Sequence, residues 1–184
     1  MVVRKALVFL FLSCFSLIPS WGVADGPGWA KLASGSGSIL YLAAGVLLPL
    51  ERDGSKGREH TLRAMDSLAV SVALSEALKG ITHVKRPDSN EHDSFPSGHA
   101  TAAFAIATME SEFHPTEAVL WYAGAAAIAD SRVELHRHRW SDIIAGAALG
   151  YGTSRWELSR KDGILIRPFL GENDGLGLVV SGRF

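Results

Sequence analysis

The sequence predicts an all-α fold, a helical bundle followed by a short C-terminal β-hairpin, on three observations. Uncharged apolar segments of 9 to 12 residues recur along the chain, at 67–75, 100–109, 118–129 and 143–154. Helix-breaking or helix-starting residues punctuate them: Gly80, Pro87, Pro96-Ser97, Pro115-Thr116 and Ser141-Asp142. After Lys161 the pattern changes to short β-type runs about a glycine-containing turn. At 184 residues there is room for one core and no second domain.

The elements follow in order. Arg4-Lys5, the apolar run Ala6 to Ile18 and the small residues Gly22 and Ala24 form the three regions of a secretory signal peptide, residues 1–24. The apolar run is shorter than the roughly 20 residues a membrane span needs, which favours cleavage after Ala24 over an uncleaved anchor. A lipoprotein reading through Cys14 is weaker, because the apolar run continues beyond it. Cleavage would remove the single cysteine, so the exported chain would rely on packing rather than disulfides.

The body, residues 25–160, begins with the 19 uncharged residues Leu32 to Leu50, either a marginal span or a buried core helix; Ser34 to Ser38 alternates Ser and Gly and interrupts it. Helices are expected at about 38–50, 60–80, 98–112, 116–131 and 140–159, with the longest polar loop from Ile81 to Pro96. Residues 161–184 read as two short strands around 171–175, a hairpin packed on the helical domain. Two strands cannot close a barrel, despite the terminal Phe184.

With 18 basic against 19 acidic residues, the chain lacks the broad positive field of a nucleic-acid binder. Its cations act locally. Lys79 closes one helix, and seven residues on Arg86 is held extended by Pro87. Alone, these are a lysine complementing a helix dipole and a solvated loop arginine. In Phe95-Pro96-Ser97-Gly98-His99, Ser97 takes an N-cap position with no Glu or Gln at 100 to complete a capping box. Main-chain N–H groups are thus left for an anion, and Gly98 has no side chain to hold one off. Alone, this is an ordinary cap with an incidental histidine.

The third cluster is Ser131-Arg132-Val-Glu-Leu-His136-Arg137-His138-Arg139-Trp140-Ser141-Asp142. If the helix is entered by about residue 138, Asp142 sits one turn beyond His138 and can accept its ring N–H, freeing the other nitrogen to attack. Glu134 is a rival orienter at the same spacing in the other direction, and a solvated basic face is the bland alternative. His136 has Trp140 at that spacing and lacks such a partner. His92, Asp93, His99, His136 and His138 could instead form a metal site, but Arg86, Arg132, Arg137 and Arg139 would repel a divalent cation. His60, His83 and His114 have no partner at a telling spacing and read as surface or loop residues.

Together, Lys79-x6-Arg86-Pro87, Pro96-Ser97-Gly98-His99 and Ser131-Arg132-x5-His138-x3-Asp142 resemble the three signature motifs of the type 2 phosphatidic acid phosphatase superfamily, which includes bacterial acid phosphatases and vanadium haloperoxidases. The resemblance covers roughly residues 62–155. It implies that Lys79, Arg86, Arg132, Ser97 and the N–H of Gly98 bind phosphate and that His138 attacks phosphorus. Asp142 would orient His138, and His99 would protonate the leaving oxygen and then activate water. It further implies a phosphatase with no metal or other cofactor, acting on phosphate monoesters or pyrophosphates, lipid phosphates first; with the signal segment, the expected place is the periplasm or the periplasmic face of the cytoplasmic membrane. A vanadate-dependent haloperoxidase and a non-catalytic phosphate- or metal-binding envelope protein are the alternatives.

Overall fold

The computed structural model describes residues 26–161 and 163, together with the backbone of 166–170 and 176–180; the expected signal segment and Cys14 lie outside the described residues. Five helices form the body: α1 (Gly28–Arg52), α2 (Gly57–Thr82), α3 (Gly98–Phe113), α4 (Ala118–Glu134) and α5 (Trp140–Ser159). The expected helices are all present. α1 starts ten residues before the expected boundary, because the Ser/Gly alternation does not end it. Instead Ala33–Gly37 forms a π-like turn kinked at Gly35, whose backbone (φ -96°, ψ -114°) is not helical, between Gly28–Leu32 and Ser38–Arg52. Ser38 Oγ donates there to the carbonyls of Ser34 at 3.1 Å and Gly35 at 2.8 Å, supplying partners in a widened turn.

α3 is the central element and packs on all four of the others. Leu42 and Val46 of α1, Ala64 of α2, Ala103, Ile106 and Met109 of α3, and Trp121, Ala125 and Ile128 of α4 make the main core. α5 approaches α3 differently, through a stripe of small residues at four-residue spacing. A Cβ on Gly146 would stand 2.5 Å from the Ser97 carbonyl and one on Gly150 2.2 Å from that of Thr101, while Ser154 Oγ donates to the Ala105 carbonyl at 3.0 Å. Backbones meet where side chains would otherwise intervene. α5 is also tied to α2 by buried hydroxyl pairs, Ser67 with the same Ser154 at 2.6 Å and Ser71 with Thr153. This packing fixes the N-terminus of α3 against that of α5.

The expected fold class, a bundle with a C-terminal hairpin as part of the domain, is corrected to all-helical. Every residue of the described hydrophobic clusters is helical. The backbone of Ile166–Leu170 (β1) and Leu176–Val180 (β2) runs antiparallel, Ile166 opposite Val180, and β1 approaches α2, but a two-stranded ribbon is marginal on its own and adds no layer to the bundle. Among the described residues, α1 is the one helix long and apolar enough to cross a membrane. Leu32, Ile39 and Leu40 on it are exposed.

Candidate active site

The bundle brings four helix ends together at one pole: the C-termini of α2 and α4 and the N-termini of α3 and α5. α2 ends at His83, whose left-handed backbone (φ 48°) lets its N–H bond to the Lys79 carbonyl. The following loop folds back on itself, with Arg86 N–H donating to the Glu91 carbonyl at 2.8 Å and Ser94 N–H to that of Val84 at 2.9 Å. It is clasped to the turn after α4 from several directions. Arg137 pairs with Asp88 at 3.0 Å, Arg139 donates to the Lys85 carbonyl at 2.9 Å, and Ser97 N–H donates to the Asp142 carbonyl at 2.9 Å. The basic face expected around His138 is therefore partly structural.

His138 is 4% exposed, and its Nδ1 lies 2.9 Å from the Ser94 carbonyl. A carbonyl only accepts, so Nδ1 carries the hydrogen and Nε2 keeps a free lone pair. This revises the expected dyad. Asp142 is 3.7 Å from Nδ1, too far for a hydrogen bond, because α5 starts at Trp140 rather than at 138. Asp142 instead takes the third position of α5, accepting the Arg139 N–H at 3.0 Å and the Ser94 hydroxyl at 2.6 Å. It holds the residue that holds His138. Glu134, the rival orienter, is exposed, and its carbonyl accepts from His136 Nδ1 at 3.1 Å. His136 is exposed in a left-handed turn (φ 56°) between α4 and α5.

The cations surround this imidazole. Burial first, then Arg132 and Arg86, push His138 down to about 3, with Asp142 opposing and Lys79 adding to the effect. His138 is therefore neutral at ordinary pH. His99, in the first turn of α3, is likewise held well below the usual histidine range by burial, then by Arg132, His138 and Lys79. Arg132 is pushed down to about 10 by burial and by Arg86 and Arg137, and remains a cation. A Cβ on Gly98 would lie 3.4 Å from Lys79 Nζ, so the ammonium stands over the open first turn of α3. Ser97 Oγ is 3.5 Å from Ala100 N–H, a loose cap.

Each of the three cations has a partner. Lys79 pairs with Glu76 at 2.6 Å, Arg86 pairs bidentately with Asp93 at 2.6 and 2.9 Å, and an Nη of Arg132 donates to Ser34 Oγ. Two buried polar groups nearby have none: Arg132 Nε and Ser75 Oγ, the latter 3.8 Å from the Gly98 Cβ position. All eight residues expected at the site come to this pole. Among the described residues no three His, Cys, Asp or Glu side chains could hold a metal ion, and Asp93 of the metal alternative is taken by Arg86.

Spacing missed Ser94 and Ser34, whose roles depend on distant partners. It also misjudged two histidines at the opposite pole. His114 lies 2.9 Å from Asp53 and 3.0 Å from Glu110, and His60 bonds Asp53 at 2.5 Å while stacking on Phe113. Only His83 is exposed as expected.

A model of the PAP2 superfamily matches residues 61–161, more than half the chain and all three motifs. The chain belongs to that superfamily. The lipid A 1-phosphatase of Porphyromonas gingivalis is 37% identical over 112 residues, covering 53% of this chain and 24% of that protein. This chain thus spans about a quarter of that relative's length. Two solved structures share the fold. LpxE of Aquifex aeolicus superposes with a TM-score of 0.56 at 20% identity, over 78% of this chain and all of that one. The first transmembrane PAP2 type phosphatidylglycerolphosphate phosphatase from Bacillus subtilis gives 0.50 at 21%, over 84% of each chain. For this PAP2 chain the likeness lies in the helical bundle, in keeping with the corrected fold class.

Proposed function

We propose that this PAP2 chain is a phosphohydrolase of lipid phosphate monoesters or pyrophosphates, working without a metal through a phosphohistidine at His138. One observation carries the reading: a buried, neutral imidazole has one nitrogen fixed by Ser94 and three cations acting on it. An unprotonated Nε2 is a nucleophile, and Lys79, Arg86 and Arg132 suit the negative charge of a phosphoryl group in transit. In the first step Nε2 forms a bond to phosphorus, the bond to the ester oxygen breaks, and His99 gives that oxygen a proton. In the second, water attacks the phosphohistidine, His99 takes a proton from it, and inorganic phosphate leaves. A bound phosphate dianion offsets the cations that, with burial, hold His99 well below the usual histidine range, which restores its capacity as an acid.

Lipid substrates and a place at the outer face of the cytoplasmic membrane belong to the same proposal. They are supported by the lipid A phosphatase relative, by the exposed apolar side chains of α1, and by the signal-like residues 1–24. The test is phosphate release from short-chain phosphatidic acid, an isoprenyl pyrophosphate and p-nitrophenyl phosphate, with EDTA or orthovanadate. Activity is expected to survive chelation and to be blocked by vanadate. Loss in EDTA restored by zinc would overturn the metal-free mechanism, and bromide oxidation after vanadate loading without phosphate release would overturn the phosphatase reading.

A further inference from the structure

We propose that Ser34, carried by the π turn of α1, is an additional residue of the oxyanion site, closing it from outside the three motifs. Its hydroxyl accepts from Arg132 Nη1, so its own hydrogen remains to be given to a phosphoryl oxygen. One hydroxyl would thus fix the direction of a guanidinium and add a neutral donor. The inference rests on the phosphate-binding reading of Arg132 and extends it to a helix that lies outside residues 61–161.

Three further observations agree. Arg132 Nε is buried with no hydrogen-bond partner, so the guanidinium keeps a donor in reserve while Ser34 holds its Nη edge. The Ser34 main chain also reaches His99 and counters the pull of the cations on that ring, so one residue touches both the phosphate cation and the proposed acid. A kink is what places Ser34: Gly35 leaves helical geometry (φ -96°, ψ -114°) between Gly28–Leu32 and Ser38–Arg52, so the helix bends immediately after Ser34. Gly37 permits it, since a Cβ there would meet the Leu32 carbonyl at 2.7 Å.

The experiment compares the full-length protein with Ser34→Ala and Ser34→Thr. KM and kcat on p-nitrophenyl phosphate, orthovanadate inhibition, inorganic phosphate affinity by calorimetry, and the melting temperature are measured together. Ser34→Ala is expected to weaken vanadate and phosphate binding and raise KM by roughly ten- to a hundredfold, the scale for losing a hydrogen bond to a charged group, with little change in melting temperature. Ser34→Thr keeps the hydroxyl and should recover to within about threefold of the parent. Unchanged oxyanion affinity in Ser34→Ala overturns the inference. So does a Thr variant as weak as the Ala variant with a lowered melting temperature, which marks a packing role. If the parent releases no phosphate from any ester yet binds phosphate or vanadate, the phosphatase reading fails while Ser34 is still decided by calorimetry. A parent that binds neither oxyanion removes the site, and Ser34 with it.

Discussion

The two poles of the bundle are built from opposite ends of the same helices, and both enclose histidines at least partly, yet they set them to opposite charges. At the Lys79–His138 pole, burial and the surrounding arginines push both histidines down. At the other, burial also works against His114, but hydrogen bonds to Asp53 and Glu110 outweigh it and raise the ring above its ordinary value. Burial there holds the Glu110 carboxyl up at about 7, with His114 opposing. Desolvation is common to both, so the sign of the neighbouring charge decides the outcome. Neutral imidazoles ringed by cations are ready for an anion, whereas a His–carboxylate chain has already satisfied its own charge.

The largest expected effect separates the poles by function. His138→Ala should lower kcat by at least about a thousandfold in a phosphate-release assay, because the proposed nucleophile is gone. Glu110→Gln should leave the kcat of the folded protein within about threefold. Comparable losses in both variants would mean that the far pole takes part in chemistry and that the contrast is wrong.

The second contrast lies within the active-site pole. Asp142→Asn removes the carboxylate that accepts from the Ser94 hydroxyl and the Arg139 N–H, and should cost roughly ten- to a hundredfold in kcat with little change in KM. Ser94→Ala keeps the carbonyl that holds His138 and should cost less, about fivefold. Equal losses would show that the hydroxyl link to Asp142, not the carbonyl, sets the imidazole.

These assignments show what the sequence could reveal. Helices α2 to α5 are legible because apolar segments alternate with Pro, Gly and Ser-Asp punctuation, and the three clusters that bring Lys79, Arg86, Ser97, His99, Arg132 and His138 to one pole are legible as locally spaced motifs, while the roles proposed for those residues come from the resemblance. Ser34 lies 98 residues from Arg132 and Asp53 61 from His114, and no periodicity links partners so far apart. The Asp142 geometry was misread for a subtler reason. An i+4 pair meets only on a helix, and the extended Arg139 cap places His138 outside it. The Ser/Gly alternation that interrupts the apolar run of α1 coincides with a kink at Gly35, where Ser38 Oγ bonds the Ser34 and Gly35 carbonyls.

Stability against pH should show the opposite settings directly. His138 has a folded value near 3 and an unfolded value near 6.5, so between them the unfolded chain binds more protons and stability is lost as pH falls below about 6.5. Glu110 sits at about 7 folded against 4.5 unfolded, so the native state binds more protons in that window and stability is lost as pH rises through it. Each slope is at most about 1.4 kcal/mol per pH unit. Urea midpoints at pH 5, 6 and 7 should show a shallower acid loss in His138→Ala and a steeper one in Glu110→Gln, which removes the opposing term. Identical pH profiles in the two variants would refute the electrostatic contrast.

The smallest effect concerns the charge balance of the proposed anion site. Arg86 is paired with Asp93, whose carboxyl Arg86 holds below the usual carboxylate range, so the pair persists well into acid. A phosphate must displace this carboxylate or share the guanidinium with it. Asp93→Asn weakens the internal competitor while keeping a similar shape, and should tighten inorganic phosphate and orthovanadate by about threefold. The gain is modest because Asp93 is only half-buried and its pairing is screened by solvent. Weaker phosphate binding in this variant would give Asp93 the opposite role, that of holding Arg86 in the direction a phosphate needs. Arg86 would then resemble Arg132, aimed by a fixed partner, rather than a cation with a replaceable one.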